Sequence, residues 1–340
     1  MNRATLTSLT RIADLDRQPY TVAPLARDDW QTGQYVAMRI TRPSGRPDLE
    51  LSNGRMAQSM ADEVAIGALG VRYATLEAVG DWRAVDSGLA VDLMTSGGLI
   101  GKVTSCSRFA PPLVAGRYLG HVLRRDRPLA MADFVATLPP RPLNMPVVLI
   151  IGTSMSAGKT MSGRVIVRAL RRQGLRVAGA KFTGAGRYRD ILSLGDAGAD
   201  PICDFVDAGL PSTVCPDAAY RRAFDLLTAR LAGSGADVLV AEAGASPLEP
   251  YQGALAVAGL APHIDLTVLA ASDPYAALGV MRAFDRRPDL ITGPAANTSA
   301  GIELIGRLTG VEALNLLDPD SQQRLLAILS RRFGRLPGGG

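Results

Sequence analysis

A glycine-rich segment follows an apolar stretch near the middle of the chain and constrains the fold more than any other feature. Residues 147–151 are apolar and strand-sized, and residues 152–160 read Gly-Thr-Ser-Met-Ser-Ala-Gly-Lys-Thr before an amphipathic stretch begins. Glycines allow successive backbone N–H groups to face one anion, and the N-terminus of a following helix adds a favourable dipole. The order of strand, loop and helix is the context in which such a segment binds nucleotide phosphates. The sequence therefore predicts a P-loop in the C-terminal half.

Individual positions of this loop predict separate contacts. Lys159 would reach the β- and γ-phosphates and act in catalysis, and the Thr160 hydroxyl would ligate Mg²⁺. The spacing departs slightly from the general pattern, because Thr153 stands at the position of the first glycine and Gly152 lies one residue earlier. We expect the nucleotide to be bound by Gly152, Thr153, Ser156, Ala157, Gly158, Lys159 and Thr160.

Strand-sized and helical stretches alternate after the loop, which predicts an α/β fold. Further strands are expected at 175–180, 238–241, 266–270, 290–292 and 313–316, and helices at 159–173, 218–231, 275–284, 299–308 and 321–333. Such alternation favours a mostly parallel sheet flanked by helices. Parallel sheets bind ligands at the carboxyl ends of their strands.

A proline-rich segment at 138–146 divides the chain, since closely spaced prolines sustain neither a helix nor a central strand. We therefore expect a P-loop domain over 147–335 and a smaller N-terminal domain over 1–137. Short apolar stretches separated by turn residues, at 35–41, 64–69, 89–94 and 99–104, make the smaller domain mostly-β or α+β. The tail, 336–340, is expected to be disordered.

Composition narrows the functional classes. Three scattered cysteines and two histidines argue against a disulfide framework and a zinc site. The net charge of +5 is dispersed and aromatic residues are only 5%, which argues against nucleic-acid binding. No apolar run is long enough to cross a bilayer and the N-terminus lacks a signal-peptide pattern, so we expect a cytoplasmic protein that does not bind membranes.

The opening Gly152-Thr153 and closing Gly158-Lys159-Thr160 of the loop resemble those of dethiobiotin synthetase and its relatives. The resemblance covers roughly 146–335 and leaves the first domain unexplained. Later, Lys181-Phe-Thr183-Gly resembles the segment in which that family places a lysine, followed by Thr/Ser-Gly, against the substrate and γ-phosphate. The family's proline after the lysine is phenylalanine here. The resemblance implies a catalytic and substrate-binding Lys181 and a substrate-binding Thr183.

Two more segments follow in the family's order. Val-Leu-Val-Ala-Glu242-Ala-Gly-Ala resembles the family's Glu-Gly-Ala-Gly, whose glutamate binds Mg²⁺, although the glycines are displaced by one. Gly293-Pro-Ala-Ala-Asn297 resembles a segment whose asparagine reads adenine, but Asn297 could instead cap the helix that follows. The family's second metal-binding aspartate would correspond to Asp196 or Asp200, of which we favour Asp196.

Taken with the resemblance, these residues predict an enzyme that uses ATP and Mg²⁺. Our main hypothesis is phosphoryl transfer to a small carboxylate-type substrate, as in a ligase or kinase, with an anionic substrate and a homodimeric protein. One alternative is a nucleotide-gated switch or chaperone-like NTPase. Another is an N-acetyltransferase using acetyl-CoA, because a P-loop family that includes D-amino-acid N-acetyltransferases has a similar loop opening and an N-terminal domain. No Asn/Thr-Lys-x-Asp guanine-reading motif is present, which favours ATP over GTP.

Overall fold

The computed structural model describes residues 4–334 and separates into two compact units. The β unit comprises the chain up to Thr137 together with Gly184–Arg189 and Phe205–Ala223. The P-loop unit comprises Leu138–Thr183, Asp190–Asp204 and the chain from Phe224 onward. The proposed linker at 138–146 remains a prediction, and the predicted disordered tail lies outside the described residues.

The β unit is built from short strands. They are β1 (Thr5–Leu6), β2 (Thr21–Ala23), β3 (Tyr35–Arg42), β4 (Pro47–Glu50), β5 (Met56–Gln58), β6 (Val64–Leu69), β7 (Val71–Tyr73), β8 (Ala78–Asp81), β9 (Ala90–Leu93), β10 (Leu99–Cys106), β11 (Val114–Arg124) and β12 (Arg127–Pro128). β6 pairs with β3, β3 with β11, β11 with β9 and β9 with β10, all antiparallel. A parallel pairing of β10 with β6 closes this ring of five strands.

Closure of the ring gives the β unit its own core. The core includes every second residue of β3 from Val36 to Ile40. These residues are fully buried and lie in one cluster with Trp30 and Tyr118. The predicted strands at 35–41, 64–69, 89–94 and 99–104 lie in β3, β6, β9 and β10. Of the two predictions for the N-terminal domain, mostly-β and α+β, the structure therefore confirms the mostly-β one.

A buried carboxylate ties together distant segments of the β unit. Glu50 is completely buried and accepts hydrogen bonds from the backbone N–H groups of Tyr188, at 2.7 Å, and Arg189, at 2.8 Å. The Ser8 hydroxyl donates to the same carboxylate. A buried carboxylate needs such donors, because an unsatisfied charge in the core is costly.

The P-loop unit contains a six-stranded, fully parallel sheet. Its strands are β13 (Val147–Gly152), β14 (Val177–Thr183), β15 (Ile202–Asp204), β16 (Val238–Ala243), β17 (Ile264–Ala270) and β18 (Leu290–Thr292), in the order β15-β14-β16-β13-β17-β18. Strands buried on both faces require continuous apolar runs, and Val147–Gly152 is buried throughout.

The described residues, 4–334, contain seven α-helices. They are α1 (Lys159–Arg172), α2 (Tyr188–Asp196), α3 (Asp217–Ala232), α4 (Gly253–Leu260), α5 (Pro274–Ala283), α6 (Ser299–Thr309) and α7 (Pro319–Phe333). The α/β fold with a parallel sheet flanked by helices is thus confirmed. The predicted strand at 313–316 is wrong, since the stretch forms only one bridge, from Ala313 to Ile291. Within residues 4–334, no helix is both long and apolar enough to cross a membrane.

Candidate nucleotide site

The glycine-rich loop joins the central strand β13 to helix α1. Gly158 is the residue before α1 and has a φ of +93°, a left-handed conformation that favours glycine. Thr153 anchors the start of the loop: its backbone N–H donates to the Ala270 carbonyl at 3.1 Å, and its hydroxyl accepts from the Ser272 N–H at 3.0 Å. The predicted strand, loop and helix are therefore present, and Thr153 has a structural use that the sequence did not indicate.

Lys159, the first residue of α1, folds its side chain back over this loop. It is 2% exposed, and its ammonium donates to the Ser154 carbonyl at 2.6 Å. Burial lowers the pKa of Lys159 to about 8, and the charge of Glu242 partly opposes that shift. The ammonium therefore lies within the loop, beside the N-terminus of α1, where the helix dipole also favours an anion.

Thr160 and Glu242 place two oxygen ligands side by side. The Thr160 hydroxyl donates to Oε2 of Glu242 at 3.1 Å. Glu242 lies near the carboxyl end of β16 and is 4% exposed. Neighbouring parallel strands β13 and β16 bring the loop and this carboxylate to one edge of the sheet.

Lys181 lies between acidic residues on the two neighbouring strands. In strand register it stands opposite Asp204 of β15 and Glu242 of β16. Its ammonium pairs with the Asp190 carboxylate of α2 and lies 3.8 Å from Oε1 of Glu242. Burial acts to lower the pKa of Lys181, but the charges of Asp190 and Glu242 outweigh it and raise that pKa above its ordinary value. Lys181 therefore stays charged although it is buried.

Thr183, predicted to bind substrate, has a contact within the protein. It is fully buried, and its hydroxyl donates to the Gly244 carbonyl at 2.9 Å. The loop that follows Glu242 continues through Ala245, which has a φ of +58°. A non-glycine residue in this conformation is strained, and such strain is concentrated at functional sites. Thr183 thus fixes the start of a strained loop next to the Glu242 carboxylate.

The Gly293–Asn297 segment lies against the phosphate loop. Gly293 has a φ of +90°, and a Cβ atom there would stand 2.5 Å from the Ala157 carbonyl oxygen. Asn297 is exposed. It does not cap α6, because the Thr298 hydroxyl accepts from the Gly301 N–H and fills that position. The base-reading role of Asn297 remains a prediction.

The structure does not place Asp196 against the Lys181 ammonium. Asp196 is the last residue of α2 and is exposed, whereas Asp190, in the first turn of the same helix, contacts the Lys181 ammonium. Sequence reasoning missed Asp190 because it did not predict α2. The metal-binding role of Asp196 remains a prediction, and Asp190 is the acidic residue of α2 that contacts Lys181.

One compositional signal was also overlooked. The chain contains only three lysines against 34 arginines, and two of the three, Lys159 and Lys181, are buried at this site. Among the described loop residues, Ala157 is buried and Ser156 is exposed.

The residues present fit a magnesium ion held jointly with phosphates. Mg²⁺ prefers oxygen ligands and commonly takes only one or two from the protein, with the rest from substrate phosphates and water. Thr160 and Glu242 supply such a pair. Across residues 4–334 no cluster of three or more His, Cys, Asp or Glu side chains is arranged to hold a metal without a ligand's help.

No protein-family model and no curated protein matches the chain. Solved structures resemble part of it. Chloroplast FtsY from Physcomitrella patens is 13% identical over 58% of this chain and 70% of its own, with a TM-score of 0.38. A DUF1611-family protein from Anabaena variabilis is 18% identical over 58% and 60%, with a TM-score of 0.37. The hydrogenase maturation factor HypB from Archaeoglobus fulgidus is 16% identical over 55% and 89%, with a TM-score of 0.38. With TM-scores this low, none of them says what this chain binds or does.

Proposed function

We propose that the P-loop unit binds a magnesium–nucleoside triphosphate and hydrolyses it, so that the protein is a P-loop NTPase. One observation carries the proposal. Four polar groups lie at the carboxyl edge of one parallel sheet. They are the Lys159 ammonium, the Thr160 hydroxyl, the Glu242 carboxylate and the Lys181 ammonium. They are the two cations and two oxygen ligands that phosphoryl transfer requires.

Each side chain has a role that follows from its position. Lys159, buried beside the N-terminus of α1, would neutralise charge on the β- and γ-phosphates. Thr160 and Glu242 would hold Mg²⁺, which would supply positive charge to the β- and γ-phosphates. Lys181 remains charged next to Glu242 and would stabilise negative charge that develops as the terminal phosphoryl group departs.

The surroundings of Lys181 favour water over an anionic acceptor. Its charge is already matched by the paired carboxylate of Asp190 and the nearby carboxylate of Glu242. Thr183, the other predicted substrate ligand, already donates its hydrogen to Gly244. The NTPase alternative therefore fits this site better than activation of a carboxylate.

The test measures phosphate release from Mg–ATP and Mg–GTP with no added acceptor. We expect phosphate release that requires Mg²⁺. Comparison of the rates with Mg–ATP and Mg–GTP identifies the preferred nucleotide. The three functional hypotheses give different products. Consumption of triphosphate only in the presence of carboxylates, with acyl-phosphate trapped by hydroxylamine, would instead support the ligase or kinase. Thiol release from acetyl-CoA when an amine acceptor is added, without nucleotide, would support the acetyltransferase.

A further inference from the structure

Ser154 is a buried polar residue of the loop that the proposed function does not use. It is 4% exposed. Within residues 4–334 its hydroxyl is enclosed and has no hydrogen-bond partner. An enclosed hydroxyl without a partner costs free energy, so such groups are rare and call for an explanation. The preceding residue, Thr153, forms hydrogen bonds with Ala270 and Ser272. These bonds hold the backbone next to Ser154 in place.

The position of Ser154 relates it to the phosphate end of the site. Its carbonyl accepts the hydrogen bond of the Lys159 ammonium at 2.6 Å. That ammonium is the group expected to meet the β- and γ-phosphates. A phosphate that binds Lys159 would compete with this carbonyl for the same ammonium. Ser154 therefore lies where Lys159 would exchange a protein oxygen for a phosphate oxygen.

We propose that the Ser154 hydroxyl donates a hydrogen bond to the terminal phosphate and makes the site selective for triphosphates over diphosphates. The inference rests on the proposed function, since it presupposes a nucleotide at this loop. Ser154 is then a specificity-determining residue. Ser162 of α1 is also buried, but its hydroxyl already donates to the Gly158 carbonyl at 2.9 Å, which makes it the matched control.

The experiment compares affinities for adenine and guanine diphosphates and for their β,γ-imido triphosphate analogues, each with Mg²⁺, by isothermal titration calorimetry. Ser154→Ala should weaken binding of the preferred triphosphate analogue by about tenfold, the loss of one hydrogen bond to a charged group. It should change diphosphate binding by less than about twofold. Ser154→Cys keeps a side chain of similar volume but offers only a weak hydrogen-bond donor. It should change the ratio of triphosphate to diphosphate affinity in the same way as Ser154→Ala.

Ser162→Ala should leave the ratio of triphosphate to diphosphate affinity unchanged. The inference is overturned if Ser154→Ala and Ser154→Cys, folded by circular dichroism, keep the wild-type ratio. It is also overturned if Ser162→Ala changes the ratio equally. Failure of the wild type to bind any of the four nucleotides would overturn the proposed function as well, and the two failures are therefore distinguishable.

Discussion

The Thr160 hydroxyl donates to the Glu242 carboxylate at 3.1 Å, joining the first turn of α1 to the end of β16. Two residues 82 positions apart in sequence thus present adjacent oxygen ligands. This pair is the basis of the magnesium site in the proposed function.

Removal of either oxygen should alter the metal requirement. Thr160→Ala and Glu242→Gln are each expected to raise the Mg²⁺ concentration needed for half-maximal hydrolysis by at least about tenfold, because one metal ligand is lost or weakened. Thr160→Ser keeps the hydroxyl and should retain the wild-type requirement. Magnesium titrations of phosphate release provide the measurement, and an unchanged requirement in both disruptive variants would contradict this assignment.

Asp190 and Asp196 make a matched pair on one helix. Asp190→Asn removes one of the two ion partners of Lys181. We therefore expect kcat to fall by about tenfold or more with a smaller change in KM, since Lys181 acts on charge that develops during transfer. Asp196→Asn should have little effect. Steady-state kinetics of both variants decide the matter. A loss of activity in Asp196→Asn alone would contradict this expectation and support the metal-binding role predicted for Asp196.

Glu50 provides a stability prediction for the β unit. Glu50→Gln replaces an acceptor oxygen by an amide donor facing donors, so the free energy of unfolding should fall by about 1–3 kcal/mol. Fluorescence-monitored denaturation suits this test, because both tryptophans, Trp30 and Trp82, belong to the β unit. Glu63→Gln, at a partly exposed carboxylate that accepts the Met60 N–H, should cost less than about 0.5 kcal/mol. Equal losses of unfolding free energy in the two variants would contradict a specific stabilising role for the hydrogen bonds of Glu50.

We expect His121 to make the stability of the β unit depend on pH. Its ring contacts the Tyr118 hydroxyl at 2.6 Å and the Gln34 side-chain oxygen at 3.0 Å, and burial lowers its pKa to about 4. The unfolded chain binds a proton at His121 near pH 6.5, whereas the folded chain does not until about pH 4. Stability from this residue is therefore present above about pH 6.5 and is lost as the pH falls towards 4, by up to roughly 3 kcal/mol.

The measurement is tryptophan-monitored urea unfolding between pH 4 and 7. His121→Gln should remove this step from the pH profile, and His263→Gln should preserve it. A profile that is the same in the wild type and His121→Gln would contradict the assignment.

The sequence predicted the phosphate loop and most strands of the parallel sheet because each depends on local pattern. Residues 147–151 and the glycines after them carry that information without reference to the rest of the chain. The short elements β15 and α2 were missed, and Asp190 with them. Lys181, Asp190, Asp204 and Glu242 come together only through strand register and helix packing, which a single sequence does not display. The use of Thr153 as an anchor likewise depends on a contact with Ser272, 119 positions away.

Calorimetric titration of Lys159→Met with Mg–ATP and Mg–GTP tests the central claim most directly. Methionine approximates the length of the side chain and removes its charge, and Lys102→Met, at the remaining lysine, is the control. We expect wild type and Lys102→Met to bind and hydrolyse a triphosphate, and Lys159→Met, folded by circular dichroism, to lose at least about a hundredfold in affinity or turnover. Wild-type affinity and turnover in folded Lys159→Met would contradict the account.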